Sequence, residues 1–275
     1  MNKETTRQKV IKYMLMILFA GFFLLPMYIM LTTSLKSFSD FSIQTMWNLP
    51  PLLSIEGLYT AFLKLLPNLK NSLILVIPAT IISAMLGSLN GYVLSHWKFR
   101  GANVIFVIIL FGMFIPYQSI LIPLVNFLRS IGLYGSIGGL ILAHVVYGIP
   151  ITTLMFRNYY TEVPTAMTEA AKVDGANIFS IYRHIFFPIS IPAFVVVGIW
   201  QFTNIWNEFL FAVTITSSPE RQPITVALVN LAGSQVVEYN VQMGGAILTA
   251  LPTLLVYILF GKYFIRGMLA GSVKG

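Results

Sequence analysis

Long apolar runs separated by short polar segments set the pattern of this chain. Stretches long enough to cross a bilayer recur at about 13–31, 72–94, 104–128, 137–156, 191–215 and 244–265. Pro26, Pro78, Pro116, Pro123, Pro150 and Pro252 lie in or at the ends of these runs. Neighbouring helices in lipid can satisfy the carbonyls that proline frees, so bent helices are expected. The polar segments are unequal. On one side, 32–71 and 216–243 are long enough to carry short helices; on the other, 95–103 is brief and 157–189 is long. No internal repeat interrupts the pattern, which predicts an all-α membrane protein with six transmembrane helices in a single domain over 1–275.

Composition supports lipid as the solvent. Hydrophobic residues make up 57% and charged residues 9%, against roughly a quarter charged in soluble domains. The absence of cysteine excludes a disulfide framework and thiolate metal sites, and leaves the compartment open. The basic N-terminus followed by 13–31 resembles a secretory signal, but the run has spanning length and no small-residue cleavage site comes after it, which favours a retained anchor. With six spans, 12 of the 17 basic residues, Arg7, Lys12, Arg157 and Lys262 among them, fall on one side. Only Lys36, Lys64, Lys70, Arg129 and Arg221 fall on the other. This bias predicts cytoplasmic N- and C-termini and a multi-pass protein of the plasma or inner membrane. The net charge of +8 is then a topology signal, with no nucleic-acid partner implied.

The segment 157–189 can be read residue by residue. Pro164 suits the start of a helix, 165–173 are mostly good helix formers, and Asp174 with Gly175 ends it. Asn177 caps a second short helix whose Ile178, Ile181 and Ile185 share a face, and Pro188 marks the return to the bilayer. Residue chemistry alone leaves two readings open: an interfacial helix pair lying on the headgroups, or a docking element whose small residues Ala170, Ala171, Gly175 and Ala176 admit a close partner.

The string EAAKVDGANIFSIYRHIFFP resembles the EAA signature of ATP-binding-cassette (ABC) importer permeases, with Glu169, Ala170, Ala171, Gly175 and Pro188 matching it. The likeness extends over nearly the whole chain. VVVGIWQFTNIWNEFLFAVTIT, RQPITVALVNLAG and YFIRGMLAGSVKG are similar to the second permease of carbohydrate importers of the maltose and multiple-sugar branch, with glucose/mannose-type permeases nearest. The resemblance implies a type I ABC importer permease bundle whose 157–189 loop is a coupling helix seated in an ATPase subunit, with Asp174 in the same contact. It also implies a second homologous permease, two ATPase subunits carrying ATP and Mg, an extracytoplasmic solute-binding protein, and a tail at 271–275 reaching the ATPases.

The chain itself has no G-x-x-x-x-G-K-[ST] loop, so a partner must hydrolyse the ATP. His96, His144 and His184 are scattered, which leaves no metal-ligand or catalytic spacing; His144 reads as a hydrogen-bonding bundle residue. The run 191–215 places Gln201, Asn204, Asn207 and Glu208 among Trp200, Trp206 and other aromatics. As one helix, Gln201, Asn204 and Glu208 share a face, and Trp200, Asn204 and Asn207 an adjacent one. An ionisable residue within a span is a functional-site hypothesis by default, and amides, a carboxylate and an indole suit a sugar. Interhelical hydrogen bonding between permease subunits is the other reading of these polar groups. Tyr117, Gln118, Asn126, Asn230 and Gln235 are weaker candidates of the same kind. The function expected is import of a sugar, glucose or a related saccharide. Import of another polar solute and ion-coupled secondary transport, for which only Glu208 would serve, are the alternatives.

Overall fold

The computed structural model describes residues 5–97, 99–233 and 237–272, with the side chains of 264–272 excepted. Lys3, Lys98, Gln235, Lys274 and tail residues 273–275 lie outside the described residues, as does the side chain of Arg266.

Twelve α-helices succeed one another in these residues: α1 Thr6–Ser34, α2 Glu56–His96, α3 Ala102–Phe111, α4 Leu121–Ser130, α5 Ile137–Tyr160, α6 Thr165–Val173, α7 Ile178–Ile181, α8 Phe187–Ile189, α9 Ile191–Asn207, α10 Leu210–Ile215, α11 Ile224–Leu231 and α12 Tyr239–Ser272. No strand occurs among the described residues. Four helices are long and apolar enough to cross a bilayer, and the number reaches six if each of two bent pairs is one span.

The bends have identifiable causes. Around Pro116 the third apolar run turns by 90° between 102–114 and 117–130. Ile115 is extended there (ψ 115°), as the residue before a proline is driven to be. The run 104–128, in which a bend is expected at its prolines, is broken into two helices. Downstream, 178–189 and 191–207 meet at 75°. Ile181 is buried and Ile185 packs against the same core, while Ile178 at the start of α7 is exposed. Two of the three residues of the expected Ile178, Ile181 and Ile185 face therefore pack inward, and a stretch of π-helix at Tyr182–Phe186, with one extra residue in its turn, adds Tyr182 and Phe186 to the buried side. The segment before the second apolar run also departs from expectation. α2 starts at Glu56 and continues for 41 residues, about 60 Å at 1.5 Å per residue.

The chain divides into two compact units, one of residues 1–66 and 228–251 and one of 67–227 and 252–275. In the first, α1 opens with Thr5 and Gln8 capping each other's backbone N–H groups. Lys36, just past its end, is buried, donating its ammonium to the carbonyls of Thr45 (2.8 Å) and Met46 (3.3 Å). Burial pulls this amine below the ordinary lysine range, opposed by nearby Asp40. Gly57 and Gly244 bring α2 and α12 to backbone contact, since a Cβ on either would strike the other helix.

The second unit is organised by α2 and α5. Gly87 and Gly91 form a G-x-x-x-G pair: a Cβ on the first would meet Thr152, and on the second Phe156 and Arg157. Small residues at this spacing let membrane helices approach closely enough for packing and short polar contacts to hold them. Thr152 Oγ1 donates across the seam to Ser83 O at 3.0 Å. Residue numbers rise together along this seam, so α2 and α5 run parallel. Gln201 meets Ser83 while Ser190 lies at the Ser88 level, so α9 runs antiparallel to both. Alternate crossings by the second, fourth and fifth apolar runs require this pattern. Replacing Gly91 with Leu should cost about 1–3 kcal/mol through overpacking, seen as a lower thermal midpoint of the detergent-purified protein. Gly198→Leu, where a Cβ meets nothing within 4 Å, should leave the midpoint unchanged.

Candidate functional site

The run 191–215 is interrupted. α9 ends at Asn207, and Glu208 is extended (φ −70°, ψ 128°) before α10 resumes at Leu210. The Glu208 carboxylate makes the break tolerable. Its Oε1 accepts from Phe211 N (2.8 Å), its Oε2 from Ala212 N (3.3 Å), and its carbonyl from Thr225 Oγ1 (3.3 Å). An unwound turn in lipid would otherwise leave these groups unpaired. The expected helical face of Gln201, Asn204 and Glu208 therefore does not form: Gln201 is buried, Asn204 is exposed and Glu208 stands off the helix.

The five residues still share one place. Trp200, Gln201, Asn204, Asn207 and Glu208 line a cavity of 490 Å³ whose other walls come from α5 and the Pro116 bend. Gln201 is committed to the helix contacts, its Nε2 donating to Ser83 Oγ at 2.9 Å. Gly148 on α5 leaves room for that amide, because a Cβ there would collide with it. Asn204 and Asn207 each donate one N–H to their own helix, at Trp200 O (2.8 Å) and Thr203 O (2.9 Å). Among the weaker candidates Tyr117 joins the cavity, while Gln118 and Asn126 are exposed away from its lining. Asn230 belongs to the first unit, in a separate cavity beside the Lys64–Glu238 ion pair (2.8 Å).

His144, expected to be a hydrogen-bonding bundle residue, lines the same cavity. Its Nε2 is buried, makes no hydrogen bond among the described residues, and sits 3.8 Å from Glu208 Oε2. Tyr147, whose hydroxyl donates to Ile115 O at 3.1 Å, and Phe211 complete the aromatic side. A tyrosine and a glycine three and four residues after His144 place all three on one α5 face, and that spacing was the available signal.

The second candidate region is α6 with the turn that closes it. Gly175 adopts φ +80°. Its N–H reaches Lys172 O (3.0 Å) and that of Ala176 reaches Ala171 O (2.9 Å), which is the Schellman closure of α6. Glu169, Ala170, Asp174 and Gly175 are exposed, Ala171 is half-buried, and Val173 is 88% exposed. Pro188, in α8, is exposed and apart from this tip in sequence. On the opposite side of α6, buried Thr168 meets His96 Nδ1 at 3.3 Å, and His96 Nε2 meets Tyr160 O at 2.8 Å. A carbonyl can only accept, so Nε2 carries the proton and Nδ1 accepts from Thr168. A chain of hydroxyls, Tyr182, Ser88, Tyr160 and Ser190 at 2.6–3.0 Å, ties α7 and the start of α9 to α2 and α5. Among the described residues no cluster of His, Asp or Glu has the arrangement of a metal site.

Residues 84–268 match the family described as binding-protein-dependent transport system inner membrane component. The chain is 55% identical over 176 residues to a probable ABC transporter permease protein of Pyrococcus horikoshii, which spans 64% of each protein. It is 34% identical over 290 residues to a xylose/arabinose import permease protein of Haloferax volcanii, covering 97% of this chain and 94% of that one. In fold it resembles a chain of a bacterial ABC transporter involved in the import of the acidic polysaccharide alginate, at TM-score 0.81 and 20% identity, over 96% of this chain and all of the other. The apolar helices, the EAA-like tip of α6 and these matches agree: the chain is an integral membrane protein that belongs to the binding-protein-dependent transport system inner membrane components, the permeases of ABC importers.

Proposed function

We propose that this chain is one of two permease subunits of an ATP-driven sugar importer, with both termini in the cytoplasm. It pairs with a second, similar permease and two ATPase subunits, which bind ATP and Mg, and it receives solute from an extracytoplasmic binding protein. The chain itself hydrolyses nothing. The observation that carries the reading is the division of α6 into two sides. Its Thr168 side is tied through His96 to the ends of α2 and α5, while Glu169, Ala170, Asp174 and Gly175 present an exposed, tightly capped tip. A tip so anchored moves with the spans when an ATPase groove grips it. ATP-driven closure then shifts the bundle from inward-facing to outward-facing, and solute enters the cavity lined by Trp200, Asn204, Asn207 and Glu208. Sugar is the solute favoured by the cavity's amides, carboxylate and indole, and by likeness to a relative named for xylose and arabinose.

Two measurements test this. Replacing Gly175 with Val strains a positive-φ position by about 1–2 kcal/mol, and Glu169→Ala removes one of the two carboxylates at the tip, leaving Asp174. Both variants are expected to insert normally yet to lose ATP-driven sugar uptake in proteoliposomes, with ATP hydrolysis no longer stimulated by the binding protein. Unchanged uptake overturns the coupling role. Because the chain lacks cysteine, topology is open to single-cysteine labelling. A cysteine at Ser42 should react with a membrane-impermeant maleimide in intact cells, and one at Thr161 only after lysis; the reverse result inverts the orientation.

A further inference from the structure

We infer that the segment 47–55, between α1 and α2, is a membrane-interfacial loop whose apolar side chains sit at the headgroup–acyl boundary beside the end of α1. In the orientation proposed above that boundary belongs to the outer leaflet; the choice of leaflet rests on that orientation, the contact with lipid does not. Three observations carry it, all within the first compact unit. First, the loop is inside out. Its interior is polar: buried Lys36 donates to Thr45 O and Met46 O, Thr45 Oγ1 donates to Asp40 O (3.3 Å), and Asn240 Nδ2 donates to Lys36 O (3.3 Å). Its exterior is apolar: Leu49, Leu52, Leu53 and Ile55 are each 70–79% exposed, with Trp47 exposed beside them. Folding in water sorts residues the other way, and a contiguous exposed apolar patch marks a surface that meets something apolar. Second, residues 41–55 include no Asp, Glu, Lys or Arg, so no charge is desolvated when the loop enters an interface. Pro50 and Pro51 have no N–H to leave unpaired there.

Third, the loop is tied to α1 at the depth of its apolar run. Tyr28 Oη donates to Trp47 O at 2.9 Å, and Ser54 N donates to Leu35 O at 2.9 Å. Tyr28 lies three residues inside the end of the run 13–31, about 5 Å along the axis. Four successive side chains of α1, Phe22, Phe23, Leu24 and Leu25, are exposed, and at 3.6 residues per turn they cover the whole circumference. A second permease can screen one side of such a helix; lipid reaches the rest, and the loop shares that level. Tyr28 and Trp47 are also the residue types that gather at membrane interfaces. Irregular backbone does not enter the hydrocarbon itself, so the loop stops at the boundary, about 5–10 Å into the headgroup region, where interfacial segments lie. Lys36 is the positioning residue: its ammonium holds the polar backbone inward, and the leucines face out.

The test is collisional relaxation of nitroxide spin labels on the complete transporter in lipid nanodiscs. The chain lacks cysteine, so Leu52→Cys, Leu53→Cys and Ser39→Cys each place one label on it, and the signal of the unsubstituted complex is subtracted to remove labels on other subunits. Oxygen concentrates in lipid and a nickel chelate in water; a doxyl lipid in the same discs marks the lipid end of the scale. Labels at Leu52 and Leu53 should be relaxed more by oxygen than by the chelate, as the doxyl lipid is, and exposed Ser39 should show the reverse ratio. Chelate preference at Leu52 and Leu53 places them in water and overturns the inference. Weak relaxation by both agents shows a protein cover, whether second permease or binding protein, and overturns it equally. Where a label at either leucine prevents assembly on size-exclusion chromatography, Leu49→Cys and Ile55→Cys decide by the same ratio. The maleimide labelling of Ser42 and Thr161 reads the orientation separately: an inverted result there moves the loop to the other leaflet and leaves the collision ratio unchanged.

Discussion

Hydrocarbon offers no hydrogen bond, so every interruption of a membrane helix must supply partners for the backbone it frees. In the fifth apolar run that constraint falls on Glu208. Its carboxylate replaces the lost helical acceptors for two N–H groups, and Thr225 serves its carbonyl. A residue that would be costly in a continuous span is thus retained by the break it makes possible. The break also shapes the cavity. It leaves Asn204 and Asn207 at the end of α9, and it brings Oε2 towards His144 on α5.

Close helix approach meets the same constraint elsewhere. Lipid gives no hydrophobic force between helices, so α2 and α5 hold together through glycine contacts and short polar bonds. Gly87 and Gly91 remove side-chain bulk from one surface, Thr152 donates to Ser83 O, and Gln201 donates to Ser83 Oγ. Gly148 clears the space that Gln201 enters. A buried amide with a defined partner sets the register of α9 against α2, so Gln201 is committed to positioning the cavity wall.

Much of this was legible in the sequence because its signals are local. Hydropathy located the apolar runs, and Pro164, Gly175 and Asn177 marked helix ends that the structure places within a residue or two. The EAA-like string identified the α6 tip. What escaped depends on pairs distant in sequence. G-S-L-N-G at 87–91 is visible as a spacing, but its partner Thr152 is not. Glu208 reads as a helical residue until its carboxylate is seen to compete for the helix's own N–H groups. The π-turn at Tyr182–Phe186 shifts a face by one residue, and no apolar periodicity announces an inserted residue. His144 looked structural because an isolated histidine on an apolar helix usually has a partner; here the nearest candidate partner stops 3.8 Å short.

The two candidate regions share α5. His144, Tyr147 and Gly148 lie at the cavity, and Tyr160, which bonds His96 and the Ser88 hydroxyl chain, ends the same helix. Sixteen residues separate His144 from Tyr160, about 24 Å of helix. A helix transmits displacement along its axis well and bends where its hydrogen bonds are missing. Pro150 is such a place, since its ring nitrogen cannot donate to residue 146. His96 links α6 to Tyr160 at the end of α5, and Pro150 lies between that link and the cavity-lining residues. Beyond it, Gly148 packs against Ser83 of α2 and the Gln201 amide, while Thr152 and Phe156 hold the following turns of α5 to Gly87 and Gly91. The cavity and the anchor of α6 thus draw on the two ends of one helix, on either side of Pro150.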